Sequence, residues 1–253
     1  MNSKKKRRLY QVGFIGSLLA AWVLISELKW FPEALFPGPL AIMTRFFELI
    51  LYDQLFGKTA YSIAMVFSAM AVSLILAIVL IALERRFEAV EANLSWISAV
   101  AAPLPGAAIL PLVILWFGVS QRAMFFIMIH ATLWPLWTQL RLSVDQLHRR
   151  FERFERAFGL PAFRRFWYIY CRGSKSALYA GLRVAWSRGW RALISAEMIF
   201  GIVGQYTGLG WLIYERRMYM DTSGLYAGLL AIALCGIFFE TVLFREARRE
   251  TDR

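Results

Sequence analysis

"TAYSIAMVFSAMAVSLILAIVLIAL", residues 59–83, contains no charged side chain. A helix rises about 1.5 Å per residue, so this run exceeds the roughly 20 residues needed to cross a hydrocarbon core of about 30 Å. Residues 9–26, 92–121, 123–140 and 222–239 are also free of charge, and each is long enough for one crossing. A sixth apolar segment, 176–203, is interrupted by Arg183, Arg188, Arg191 and Glu197. The composition agrees: 59% hydrophobic and 16% aromatic residues against 18% charged ones argue for a membrane protein over a soluble fold. The expected architecture is all-α, a single polytopic membrane domain of six transmembrane helices spanning the whole chain.

The formal net charge of +12 could point to nucleic acid, but the cations follow membrane sidedness instead. With the N-terminus in the cytoplasm, the segments assigned outside hold only Lys29, Arg45, Lys58, Arg122, Arg216 and Arg217. Apart from the three arginines of the fifth span, the remaining Lys and Arg fall inside. The positive-inside rule therefore places both ends in the cytoplasm, as an even number of spans requires. "KKKRR" before an apolar run also resembles a secretory signal, yet "SELKW" offers no small-residue cleavage site. Cys171 and Cys235 are separated by a whole span, and no metal-ligand spacing occurs.

Several segments carry further expectations. Residues 31–57 are too charged to cross but have Leu, Ile and Phe at helical intervals, which predicts a short helix along the outer interface, begun through Pro37 and Pro39. "APLPGAAILPLVILWFG" holds Pro103, Pro105, Gly106 and Pro111 at membrane depth. Each proline removes a backbone donor, so this span is kinked or begins late, whether as a structural feature or as the lining of a pathway. In the fifth span each charge near the bilayer centre costs about 2.5 to 3.5 kcal/mol, while each Leu or Ile returns only about 0.3 to 0.6. Arg183 can snorkel to the inner end. Arg188, Arg191 and Glu197 must be paired in a charge network or face a water-filled translocation path.

Other chemistry finds little support. "FGKTAYS" ends like a phosphate-binding loop but has Tyr52 where the first glycine belongs, so the chain itself binds no ATP. His130 and His148 stand without a carboxylate or cysteine cluster, and Ser195 without partners for nucleophilic work. No catalytic residue and no cofactor is assigned to this chain.

The longest cytoplasmic loop, residues 141–175, contains "LHRRFERFERAF". Its Leu147, Phe151, Phe154, Ala157 and Phe158 recur at intervals of three and four, which predicts a short amphipathic helix stopped by Gly159 and Pro161. A short helix is marginal unless it docks on a surface. A glycine-ended helix followed about ten residues later by an apolar residue resembles the cytoplasmic coupling loop of ABC importer permeases. Their pattern is Glu-Ala-Ala, three residues, Gly, nine residues, Ile, one residue, Leu-Pro. Gly159 and Ile169 match that spacing; Arg153, Phe154 and Glu155 replace Glu-Ala-Ala, with Glu152 alongside, and Cys171 and Arg172 replace Leu-Pro.

"AAPLPGAAILPLVILWFGVSQRA", "AGLRVAWSRGWRALISAEM" and "TGLGWLIYERRMYMDTSGLYAGLLAIALCGIFFE" are similar to segments of the nitrate, sulfonate and taurine branch of these permeases, and the likeness runs over residues 36–244. It implies a type I ABC importer permease fold in the bacterial inner membrane. It also implies a second permease copy or paralogue, two cytosolic ATPase subunits that bind ATP and magnesium, and a periplasmic or lipoprotein solute-binding protein. The transported solute is expected to be a small anion. On this resemblance Phe151, Glu152, Phe154, Glu155, Arg156 and Gly159 form the ATPase contact, the aromatics as knobs and the charges setting register. The competing reading, a secondary transporter or channel, lacks a matching inverted half and a paired acidic relay.

Overall fold

A computed structural model describes residues 3–159, 161, 164–202 and 206–243, except for the side chains of residues 3–5, 7–8, 154–157 and 243. Among the described residues every regular element is a helix: α1 (Ser3–Glu27), α2 (Pro39–Tyr52), α3 (Leu55–Glu84), α4 (Glu88–Ala101), α5 (Gly106–Phe117), α6 (Gln121–Phe158), a π-helical segment (Arg165–Cys171), α7 (Lys175–Phe200), α8 (Leu209–Met218) and α9 (Thr222–Leu243).

Within α1, α3, α6 and α9 lie stretches long and apolar enough to cross a membrane. Taken together, α4 and α5 are also long and apolar enough for one crossing, bent by 107° at the break between them. Pro103 and Pro105 fall in that break and leave two in-helix donors missing, which stops α4 and restarts the chain as α5. The charged α7 is not among these apolar stretches; it spans 26 residues and packs along α6.

Paired contacts fix the directions. Gln121 donates to the Tyr61 hydroxyl, Ser73 meets Thr132 at 2.7 Å, and Arg85 reaches Asp145 at 2.7 Å, so α3 and α6 run parallel. Ser143 with Ser174, and Thr132 with Gly189, set α7 antiparallel to them. Arg183 with Glu240 and Trp186 with Phe239 set α9 antiparallel to α7. Small residues allow the close crossings: a Cβ on Gly189 would stand 2.7 Å from Thr132 Cγ2 and 3.5 Å from Val66 Cγ1. The face of α3 that meets this bundle carries Ser62, Val66, Ala69, Ser73 and Ala77, all buried.

One expectation is corrected. The amphipathic segment before Gly159 is not a separate short helix. It is the end of α6, which runs unbroken for 38 residues from the outer face. Neither Gly nor Pro occurs between Leu136 and Phe158 to interrupt it. Between α7 and α9, residues 209–218 fold as the short helix α8.

On the outer side α2 buries Ile42 and Leu49 against the bundle and exposes Leu40, Met43, Phe47 and Leu51, the stripe of a helix lying in the interface. It is tied by ions to α8 and to the turn before α9: Arg45 donates to Asp221 at 2.7 and 3.0 Å and Arg216 binds Asp53, just past α2, at 2.7 Å, while Lys58 at the start of α3 faces Glu215 of α8 at 3.8 Å.

Candidate translocation site and coupling surface

The break in the third crossing opens a cavity of about 400 Å³. Its walls are Ala102, Pro103, Leu104, Pro105, Gly106 and Ala107 of the break and α5, His130 and Ala131 of α6, and Arg188, Arg191, Ala192 and Ser195 of α7. The α7 members recur at intervals of three and four, so they share one face. Arg188 reaches toward the Ala102 carbonyl at 3.4 Å, one of those freed by the prolines. Arg191 donates only to the Ser187 carbonyl in its own helix. Both arginines are exposed, and among the described residues neither makes an ion pair and no carboxylate lines the cavity. The first turn of α5, with its unpaired amides and the positive end of its dipole, faces the same space.

Glu197 stands apart from these arginines. It is 1% exposed, and its Oε1 accepts from Ser62 Oγ at 2.8 Å while Oε2 accepts from Gly210 N at 2.7 Å. Leu209 N donates to Ser62 Oγ at 3.0 Å. Glu197 and Ser62 together therefore cap the N-terminus of α8, Glu197 taking the Gly210 amide and Ser62 the Leu209 amide. "GLG" at 208–210 makes room for it: a Cβ on Gly208 would run into the Glu197 carboxylate, and one on Gly210 would stand 2.7 Å from Glu197 Cβ.

At its C-terminal end α6 continues past the apolar run that ends at Leu140 for 18 residues to Phe158, a reach of about 27 Å. Its inner part is held by Asp145 on Arg85, Leu147 against Gly173, and His148 Nδ1 with the Tyr170 hydroxyl at 3.2 Å. Phe151 and Glu152 are half-buried, with Arg150 over the Phe151 ring at 5.8 Å. Phe154, Glu155 and Arg156 lie on the last two turns, and their side chains are outside the described set. Gly159 ends the helix at φ 54 and ψ 38, the left-handed conformation that glycine adopts without strain. Ile169 is buried in the π-helical segment, while Phe166, Trp167 and Tyr168 are exposed there.

Residues 89–249 match the family described as binding-protein-dependent transport system inner membrane component. The chain belongs to that family. This permease is 26% identical over 223 residues to SsuC of Escherichia coli, a permease protein named for aliphatic sulfonates transport, covering 87% of this chain and 82% of that one. It is 22% identical over 245 residues to the Escherichia coli taurine transport system permease protein TauC, covering 95% and 88%. With the bicarbonate transport system permease protein CmpB of Synechococcus elongatus it shares 25% identity over 219 residues, covering 81% and 76%. It is a multi-pass inner-membrane subunit of an ABC importer, of the nitrate, sulfonate and taurine branch, and a transport component rather than an enzyme. Work with an ATPase and a solute-binding protein follows from the family.

Sequence reasoning missed Ser62, the second partner of Glu197, and the cavity positions of His130 and Ser195. A signal for Ser62 existed: it shares a helical face with Ser73 in an otherwise apolar run, where an isolated hydroxyl needs a partner.

Proposed function

We propose that this permease passes a small oxyanion through the cavity at the broken third crossing, with Arg188 and Arg191 as its cationic wall and Glu197 outside the path. One observation carries the reading: two arginines with no carboxylate opposite them line a cavity at membrane depth. Facing lipid, each would cost about 2.5 to 3.5 kcal/mol; facing a wet path, each attracts an anion. The exposed arginines also need an opposite wall, which a second permease copy provides. Taurine, aliphatic sulfonates and bicarbonate, for which relatives are named, all carry an anionic oxygen group at neutral pH.

Two cytosolic ATPase subunits grip the end of α6, with Phe151, Glu152, Phe154, Glu155, Arg156 and Gly159 as the contact. ATP and magnesium are bound there by the ATPases, and a solute-binding protein delivers the anion from outside. ATP-driven closure moves the ends of α6 and rocks the spans between outward and inward openings.

The test is uptake into proteoliposomes with the matched binding protein, comparing Arg188→Gln and Arg191→Gln with wild type. The expected result is an intact complex whose flux falls about 10- to 100-fold, the loss of a charged hydrogen bond to the solute. Loss of assembly, with flux per intact complex unchanged, would make the arginines fasteners of the bundle and overturn the path.

A further inference from the structure

A second cavity, of about 470 Å³, opens at the cytoplasmic end between α3, α6, α7 and the π-helical segment. Leu74, Ile78, Leu140, Val144, Leu178 and Phe166 make its walls apolar. From Leu74 to Arg85 it follows α3 for about 16 Å, close to the depth of one leaflet of a hydrocarbon core about 30 Å thick. Its mouth is polar and basic, with Arg85, Arg165, His148 and Tyr170. Arg85 uses Nη2 on Asp145, and a guanidinium has five N–H donors, so the pair does not exhaust it. Beside the mouth Trp167 and Tyr168 are exposed, with Arg172 stacked over Tyr168 at 5.2 Å. Such amphipathic aromatics belong at the headgroup level of a membrane.

We infer that this fissure holds one anionic phospholipid of the inner leaflet, an acyl chain between α3, α6 and α7 and its phosphate at Arg85 and Arg165. The occupant follows from the match of charge and depth. A basic pocket between spans on the cytoplasmic side suits an anionic headgroup, each cation favouring it by about fivefold, and the wall above suits a hydrocarbon chain. The segment that begins as the coupling turn at Gly159 therefore ends as a lipid contact at residues 165–171.

The test uses the full-length permease in nanodiscs of equal parts phosphatidylglycerol and phosphatidylcholine, released into mild detergent and weighed by native mass spectrometry. Wild type is expected to keep phosphatidylglycerol in preference to phosphatidylcholine. Ala82→Trp, which fills the fissure, is expected to lose it; Ile78→Trp serves the same purpose should the first variant fail to fold. Arg85→Gln with Arg165→Gln is expected to keep lipid without preferring the anionic one. Leu76→Trp, on α3 but outside the lining, is expected to behave as wild type. Retention by the filled variants equal to wild type, equal retention of both lipids by wild type, or displacement of the bound mass by inorganic phosphate alone would each overturn the inference.

Discussion

Glu197→Ala removes the carboxylate that holds the start of α8. Two hydrogen bonds end on it, from Ser62 Oγ at 2.8 Å and Gly210 N at 2.7 Å. At 1% exposure, neither bond competes with bulk water in the folded protein. Removing the acceptor leaves the Gly210 amide and the Ser62 hydroxyl without it, at about 1 to 3 kcal/mol each, so the loss is about 2 to 6 kcal/mol before any cavity term. Since α8 is only 10 residues, too short to persist alone, the loss falls on its docking and not on its helicity. A docking penalty of that size raises the open population by roughly 30-fold to 10⁴-fold. Hydrogen exchange read by mass spectrometry in nanodiscs measures it: amides of Leu212 and Ile213 should exchange faster by that factor, with Met128 in α6 unchanged. Unaltered exchange in α8 would refute the cap. Equal acceleration in both helices would show that Glu197 holds the bundle as a whole.

Gly159→Ala puts a Cβ on a left-handed residue at a cost of about 1 to 2 kcal/mol; nothing lies within 4 Å of that Cβ, so the penalty is purely conformational. Capture of the partner ATPase should fall with alanine and largely return with Gly159→Asn, which tolerates this conformation; equal capture by both would remove the cap from coupling. Gly189→Val forces a side chain onto Thr132 Cγ2 and should lower stability by about 1 to 3 kcal/mol in a thermal melt, with Thr132→Ala restoring part of it. On the outer face, burial pushes the Asp221 carboxyl up, but Arg45, the Gly224 amide and Arg216 together outweigh it and hold the pKa below its ordinary 3.8. That stabilisation is complete above the ordinary value and lost as pH falls through the lower folded one. The melting difference between wild type and Asp221→Asn should therefore stay constant at neutral and mildly acidic pH and close only below about 3.8; a gap that closes near neutrality would contradict the ion network.

Most of the fold was legible because lipid imposes simple rules. Charge-free runs of sufficient length became helices, and Pro103 and Pro105, just ahead of Gly106, marked the break. The helix stop at Gly159 was legible from its residue type. The length of α6 was misread because charge was taken to end the helix, whereas charge ends only the apolar depth; a helix continues until the backbone is interrupted. The site was partly readable from angles. At about 100° per residue, Arg188 and Arg191 share a face, while nine residues separate Arg188 from Glu197 and put them about half a turn apart. What no local pattern could supply was Ser62, which lies 135 positions from Glu197 in the chain.

The continuity of α6 sets how motion at its C-terminal end would reach the cavity. A separate coupling helix would pass force through a flexible linker, losing displacement at each soft bond. Here the turn ended by Gly159 and the wall formed by His130 and Ala131 belong to one rod, Gln121–Phe158. Pro135 within that rod cannot donate to the carbonyl of Ala131, four residues earlier, so the helix is softest where it lines the cavity. Below that point α7 is locked to α6 by the close approach of Gly181 to Leu136 and Gln139. Under the proposed function, a displacement applied at the end of α6 carries both helices together and is spent as bending beside Arg188 and Arg191.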